Sequence, residues 1–331
     1  MNSKLINLLS SISLVLVLTV RVNADEFRMT FKVVDESGKP MANAKVGASF
    51  LQSKLPVPIT AKDIVEKQID LLTDTNGQAV ISAFAYDRHI WYGVDSVPGY
   101  YSCSGGELKF DDGRLGRWQP WNPTIKFVLK PIGNRVPMYA KKLGWDTFLP
   151  ETNKPIGYDL QIGDWVGPYG KGITPDFVFT LDRHFTSVTQ DFDATLALTF
   201  PNDGAGIQSV MADSTGSSFR IPRLAPTNDY EPKLVLQMYR KDGKSIVGVS
   251  ANTGQNYFFR IRTKKDDQGN IVSAMYGKIY GGIGWDIFHS PVAQLQFTYY
   301  LNPTPNDRNV EFDPMHNLMK NLNKFEGVSA P

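Results

Sequence analysis

Apolar and polar residues alternate over residues 27–33, where Phe27, Met29, Phe31 and Val33 stand between Arg28, Thr30 and Lys32. That period of two predicts a strand with one dry face. Asp35-Glu36-Ser37-Gly38 carries turn chemistry, with Gly38 free to take a positive φ. Ala44, Val46 and Ala48 alternate again toward Phe50. Asn76-Gly77, inside Thr73-Asp74-Thr75-Asn76-Gly77, is a hairpin signal, and Ala79, Ile81 and Ala83 follow it in alternation. Between these stretches Thr60 and Asp63 have capping-box spacing, with Val65, Ile69 and Leu72 at i, i+4 and i+7. A short helix there and a strand entering the turn from Lys67 both fit.

The rhythm returns in the second half. Phe177, Phe179 and Leu181 alternate, then Leu196, Leu198 and Phe200, then Leu234, Leu236 and Met238. Asp242-Gly243 predicts a hairpin joining 237–240 to 246–249, and residues 267–270 predict a second joining 257–263 to 271–279. In the second hairpin Tyr257, Phe259 and Ile261 share one face, while Phe258, Arg260 and Arg262 share a mostly charged one. About nine such runs predict an antiparallel sandwich. Asp313-Pro314 followed by Met315, Leu318, Met319, Leu322 and Phe325 predicts a C-terminal amphipathic helix. It would brace the second domain or, as a second reading, dock a partner.

Residues 1–24 change the picture of where the chain works. Lys4, an apolar run over 8–20 and Val22-Asn23-Ala24 have the order of a secretory signal, with the mature chain expected to start at Asp25. The run is short for a membrane span, and no second one of spanning length follows. Removing Lys4 and Arg21 takes the formal charge from +2 to zero, which argues against a nucleic-acid binder. The remaining 307 residues (331 minus 24) suggest two domains. The single cysteine, Cys103, cannot form an internal disulfide. An exported chain of this size without one fits a bacterial periplasm or surface.

Gly38, Pro40, Ala44 and Val46, then Thr73, Asp74 and Gly77, then Gly99-Tyr100 follow one another in an order that resembles carboxypeptidase-regulatory-like, prealbumin-type β-sandwiches over residues 27–131. The resemblance implies that 125–129 closes the sandwich and that the module serves as a spacer, binding or docking unit. The sequence departs from that pattern over 86–121, where aromatic and glycine-rich material is inserted. The fold expected is therefore all-β: an Ig-like, prealbumin-type sandwich over 25–131, a linker over 132–157 carrying Trp145 and Phe148, an antiparallel β-sandwich domain over 158–312, and a helix with tail over 313–331.

Candidate chemistry is sparse. The four histidines, His89, His184, His289 and His316, lack metal-ligand spacing, and no HExxH, GxSxG, phosphate loop or dinucleotide fingerprint is present. No cofactor, metal or catalytic residue is assigned. Aromatics in stiff loops can stack on sugar rings or fill a core. Trp118 and Trp121 flank Gln119-Pro120, and Trp165 and Tyr169 lie in the glycine-punctuated loop 163–172. These four are the candidate ligand-binding residues. The reading preferred from sequence is a non-catalytic binding protein of the bacterial envelope, periplasmic or extracellular, whose partner is a polysaccharide or an envelope protein. One alternative is a carbohydrate-active hydrolase using Asp182, His184, Asp191 or Asp193. Another is a structural subunit of a surface assembly, docking through the terminal helix or an open edge strand.

Overall fold

The strand β1 (Asp25–Asp35) fulfils the alternation. Phe27, Met29, Phe31 and Val33 are fully buried, while Arg28 and Lys32 face water. The computed structural model describes residues 25–54, 60–114, 116–244, 246–248 and 254–331, so the expected export segment lies outside the described residues. Eight more strands complete the first unit: β2 (Lys45–Ser53), β3 (Ile64–Leu72), β4 (Gln78–Ala85), β5 (His89–Val94), β6 (Gly106–Lys109), β7 (Asp112–Arg114), β8 (Arg117–Gln119) and β9 (Thr124–Leu129). One sheet runs β4-β1-β8-β7, with β9 also on β1, and the other runs β3-β2-β5-β6. Their inner faces close one core, Phe31 and Val33 meeting Val46, Phe50 and Phe127.

Two local readings resolve here. Thr60 and Asp63 cap a single 3-10 turn, Ala61–Asp63, through bonds of the Thr60 N–H and Oγ1 to Asp63 Oδ2 at 2.8 and 3.1 Å. The strand β3 follows at once, so short helix and strand are both present. Asn76-Gly77 does not close a hairpin. β3 pairs with β2, whereas β4 crosses to the other sheet and pairs with β1, Ile81 opposite Met29. Asp74 Oδ1 accepts the N–H groups of Asn76 and Gln78 and shapes the turn locally; which strand it serves is decided by the core that Ala79 and Ile81 must reach.

The second unit contains β10 (Val136–Phe148), β11 (Ile156–Asp159), β12 (Asp164–Trp165), β13 (Phe177–His184), β14 (Phe192–Thr199), β15 (Gly206–Met211), β16 (Lys233–Arg240), β17 (Val247–Gly248), β18 (Gln255–Lys265), β19 (Ile271–Ile279), β20 (Gly284–Asp286), β21 (Gln294–Asn302) and β22 (Phe312–Asn317). Both predicted hairpins form, β16–β17 and β18–β19. One sheet runs β15-β18-β19-β21-β10-β22, with β20 on β21; the other runs β12-β11-β13-β14-β16-β17. Phe177, Phe179, Phe259, Phe297 and Tyr299 fill the space between them.

Three expectations are corrected. Residues 136–148 are a strand inside the larger sheet, not linker. Met138 and Ala140 pack on one face of that sheet, and Leu143 enters the core on the other. The C-terminal helix is absent: Phe312–Asn317 pairs in parallel with β10, and turns follow. Asp313 uses its carboxylate on the Met315 N–H at 3.0 Å and on His316, a local bond that competes with helix. Asn317 then bonds both backbone groups of Ala140, and Asn321 takes a positive φ.

The third correction concerns β18. Its second face is not a solvent face, because residues from 219–230 and 310–312 cover it and close a further core with Phe258, Tyr276 and Tyr300. Arg260 is buried there and donates to the Gly204 and Thr227 carbonyls at 2.8 and 2.6 Å. Arg262 escapes that face. The register slips between Ile261 and Lys264 and Arg262 takes φ 49°, which re-aims its side chain as bulges do. It clamps the buried carboxylate of Asp176 with Nε and Nη2, at 2.7 and 2.9 Å.

Candidate functional site

The glycine loop between β11 and β13 is held from within. Asp159 accepts backbone N–H groups from Gln161, Ile162, Ile173 and Thr174. Burial acts to raise the pKa of its carboxyl, and the backbone donors, Thr174 foremost, bring it below the ordinary value. Asp164 accepts the N–H groups of Trp165 and Lys171. Trp165 is only 8% exposed and packs edge-on against Tyr158 and Phe179 at 5.0 and 6.0 Å. It is a core residue, and most of its ring is closed to a ligand. Tyr169 is 36% exposed, with its hydroxyl given to Glu151 at 2.6 Å.

Trp118 and Trp121 share the end of β8 in the first unit. Trp118 packs partly on the core and donates its indole N–H to the Ala85 carbonyl at 3.4 Å. The ring of Trp121 lies under the Arg117 guanidinium at 4.6 Å. Trp118 and Trp121 thus lie in the first unit, and Trp165 and Tyr169 in the second.

The acidic candidates are brought closer together. His184 lies between Asp193, with Nδ1 to Oδ2 at 3.2 Å, and Asp182, with Nε2 to Oδ1 at 3.8 Å. Asp193 first, then Asp182, raises the imidazole pKa. All three side chains are more than half exposed. Asp191 lines one open cleft with His184 and Asp193, and it accepts the Asp242 and Gly243 N–H groups, which lower its pKa. Acid–base hydrolysis needs carboxyls held in contrasting environments, and these sit in water. Among the described residues no group of three His, Cys, Asp or Glu side chains is arranged to hold a metal ion.

The densest chemistry lies where the two units meet, around Glu311, Arg223 and Lys278, which the sequence did not single out. Glu311 is 1% exposed. Its Oε1 accepts the Tyr101 hydroxyl and the Gly133 N–H, each at 2.6 Å, and Arg223 Nε stands 3.4 Å from Oε2. Burial first, then Glu311, pushes the Tyr101 phenol pKa up. Arg223 also reaches Glu36 with Nη1 at 3.0 Å and donates to the Pro131 carbonyl. Lys130 pairs with Asp213. Backbone bonds from Ser104 to Gly216 and from Ser218 to Ser102, 2.8 Å each, place Cys103 opposite Ser217. Tyr101 stacks on Phe219 at 5.2 Å. Beneath Phe219 lies Lys278, fully buried, its ammonium nitrogen without a hydrogen-bond partner and 4.8 and 4.6 Å from the Phe219 and Tyr300 ring centres. Burial drives its pKa down to about 7, Glu311 opposing.

A second feature without a sequence assignment is a cleft beside β10, where Trp145 and Phe325 are both exposed. From sequence, Trp145 was given to the linker and Phe325 to the terminal helix; the structure puts Gly144 and Trp145 inside a strand, where a glycine marks a bulge.

No family model matches the chain, and no curated protein matches it. Among solved structures, the C-terminal domain of a shaft pilin of Lactobacillus rhamnosus GG is 14% identical over 32% of this chain and 98% of its own, with a TM-score of 0.22. The major pilin subunit of Bacillus cereus is 10% identical over 86% of this chain and 99% of its own, at 0.23. A streptococcal ancillary pilin is 12% identical over 82% of this chain and 58% of its own, also at 0.23. Scores this low carry no argument.

Proposed function

We propose that the chain is an exported, non-catalytic subunit of the bacterial envelope, built as one stiff body of two sandwiches that holds a binding surface in a fixed orientation. The observation that carries this reading is the seam around Glu311. Units joined within a chain move relative to each other unless the interface is large or apolar. Here Glu311 joins Tyr101 of the first unit to Arg223 of the second by charge-assisted contacts, the stronger class of polar contact, and separation would break the bond to Tyr101. A spacer role for residues 27–131 agrees with their resemblance to carboxypeptidase-regulatory-like sandwiches. The partner is a polysaccharide or an envelope protein. A second reading, hydrolysis, is favoured by His184 between its two carboxylates and by the cleft it shares with Asp191 and Asp193.

Small-angle scattering of residues 25–331 is expected to fit one rigid envelope, and Tyr101→Phe with Arg223→Ala to broaden the distribution. A wild-type profile of two freely jointed bodies would sink the proposal. Release of reducing sugar from a polysaccharide, lost in Asp193→Asn, would replace it with the hydrolase.

A further inference from the structure

β10 and β21 fall out of register between Leu143 and Thr147: Leu143 faces Phe297 and Thr147 faces Leu295. Three residues, Gly144, Trp145 and Asp146, therefore stand opposite Gln296 alone, and the chain bulges outward. Bulges aim side chains away from the regular face. The Trp145 indole is carried across to β20, where a methyl group added at Gly284 would stand 3.1 Å from its Cη2. The glycine makes room for the ring, which remains 45% exposed.

The other wall is the chain's tail, fixed rather than trailing. The Lys142 N–H donates to the Glu326 carbonyl at 3.0 Å, and Lys141 pairs with the Glu326 carboxylate at 2.9 Å. Asn323 accepts the N–H groups of Phe325 and Glu326, closing a turn that holds Phe325 outward and 72% exposed. Trp145 and Phe325 thus line one cleft of about 500 Å³ with Lys142, Asp146, Gln296 and Lys324. That is the size of a small-ligand site. The side chains of Lys142, Asp146 and Gln296 make no hydrogen bond or ion pair among the described residues, and Lys324 meets only the Phe325 ring, at 4.8 Å.

Two rings with free surface, bordered by an unengaged carboxylate, amide and two ammonium groups, match a ligand that has apolar C–H faces and a rim of hydroxyls. Aromatic side chains supply contact area with a polar margin, and side chains without a protein partner are free to turn toward a ligand's hydroxyls. The cationic excess, Lys142 and Lys324 against Asp146, adds attraction for carboxylates. We infer that this cleft binds an acidic polysaccharide, one uronate-bearing segment lying across Trp145 and Phe325 with its carboxylate toward the lysines. This deepens the binding role proposed above and does not depend on the stiffness of the seam.

The test is affinity electrophoresis of residues 25–331 in native gels containing polygalacturonate or, in a parallel gel, dextran. Retardation by polygalacturonate is expected, with Trp145→Ala and Phe325→Ala each raising the half-retarding concentration at least tenfold. Lys142→Gln with Lys324→Gln should do the same, and this pair guards against a folding defect in the aromatic variants. Near-ultraviolet circular dichroism should stay unchanged throughout. Absence of retardation in both gels, or retardation indifferent to all these variants, would overturn the inference. Equal retardation by dextran would overturn its acidic part. A rigid scattering envelope alongside absent retardation would leave the stiff-body reading standing, so the two fail separately.

Discussion

β1 and β18 are both eleven residues long and both central to their sheets, yet their sequences inform differently. β1 has one face toward the core and one toward water, so Arg28 and Lys32 need no partner and the alternation is clean. In β18 the outer face is roofed by chain from elsewhere, so Arg260 must find carbonyl acceptors and Arg262 is turned aside by a bulge. Alternation reports the face that stays dry. It does not report whether the other face stays wet, because the roof is made by residues distant in sequence.

The sharpest way to break this comparison is truncation on both faces of both strands. Phe31→Ala and Phe259→Ala should each cost about 4 kcal/mol in urea unfolding, both rings being fully buried. Outward-facing positions should separate the strands: Phe258→Ala about 3 kcal/mol, Lys32→Ala within about 0.5 kcal/mol. Equal small effects at Phe258 and Lys32 would mean that the roof contributes nothing.

Next in size is Arg262→Ala, which leaves the buried Asp176 carboxylate without its clamp. A loss of about 3 kcal/mol is expected, and Arg262→Lys should recover little because the two-nitrogen fork is gone. Full recovery by lysine would show that charge alone matters there.

Lys278 gives the comparison a pH dependence. Its amine titrates near 7 when folded and near 10.4 when unfolded. Between those values the unfolded chain holds more protons, so stability should rise with pH from about 7 to 10 and stay flat below. Lys278→Met should add about 2 kcal/mol at pH 6, less than the roughly 4–5 kcal/mol ceiling of the shift, and the gain should shrink toward pH 10. A wild-type curve without slope in that window would refute the buried amine. Smaller again is Tyr101→Phe, expected to cost about 1–2 kcal/mol by removing one donor from Glu311; no loss would mean the seam does not need that bond.

What the sequence disclosed follows the same division. The all-β class, the inward residues of β1, β2 and β13, and the turns at Asp242-Gly243 and 267–270 depend on neighbours a few positions away, and all were legible. β10 was missed because Gly144 and the bulge interrupt its period. The tail was misread because Met315, Leu318, Met319, Leu322 and Phe325 have helical spacing, while Asp313, Asn317 and Asn323 spend their side chains on backbone groups instead. Glu311 carried no local signal at all: its partners Tyr101 and Gly133 lie 210 and 178 residues away. Of the four aromatics read as ligand contacts, two in each unit, Trp165 is spent on the core.

The chain's single thiol sits in the seam, half-buried, with Sγ 3.2 Å from the Thr215 carbonyl. Burial, with Asp213 adding to it, raises its pKa, so it reacts slowly while the seam is shut. Nature has therefore placed one chemical clock at the joint and none elsewhere. The rate at which a small alkylating reagent marks Cys103 rises with every parting of the two halves, in the wild-type protein and without a probe added to it.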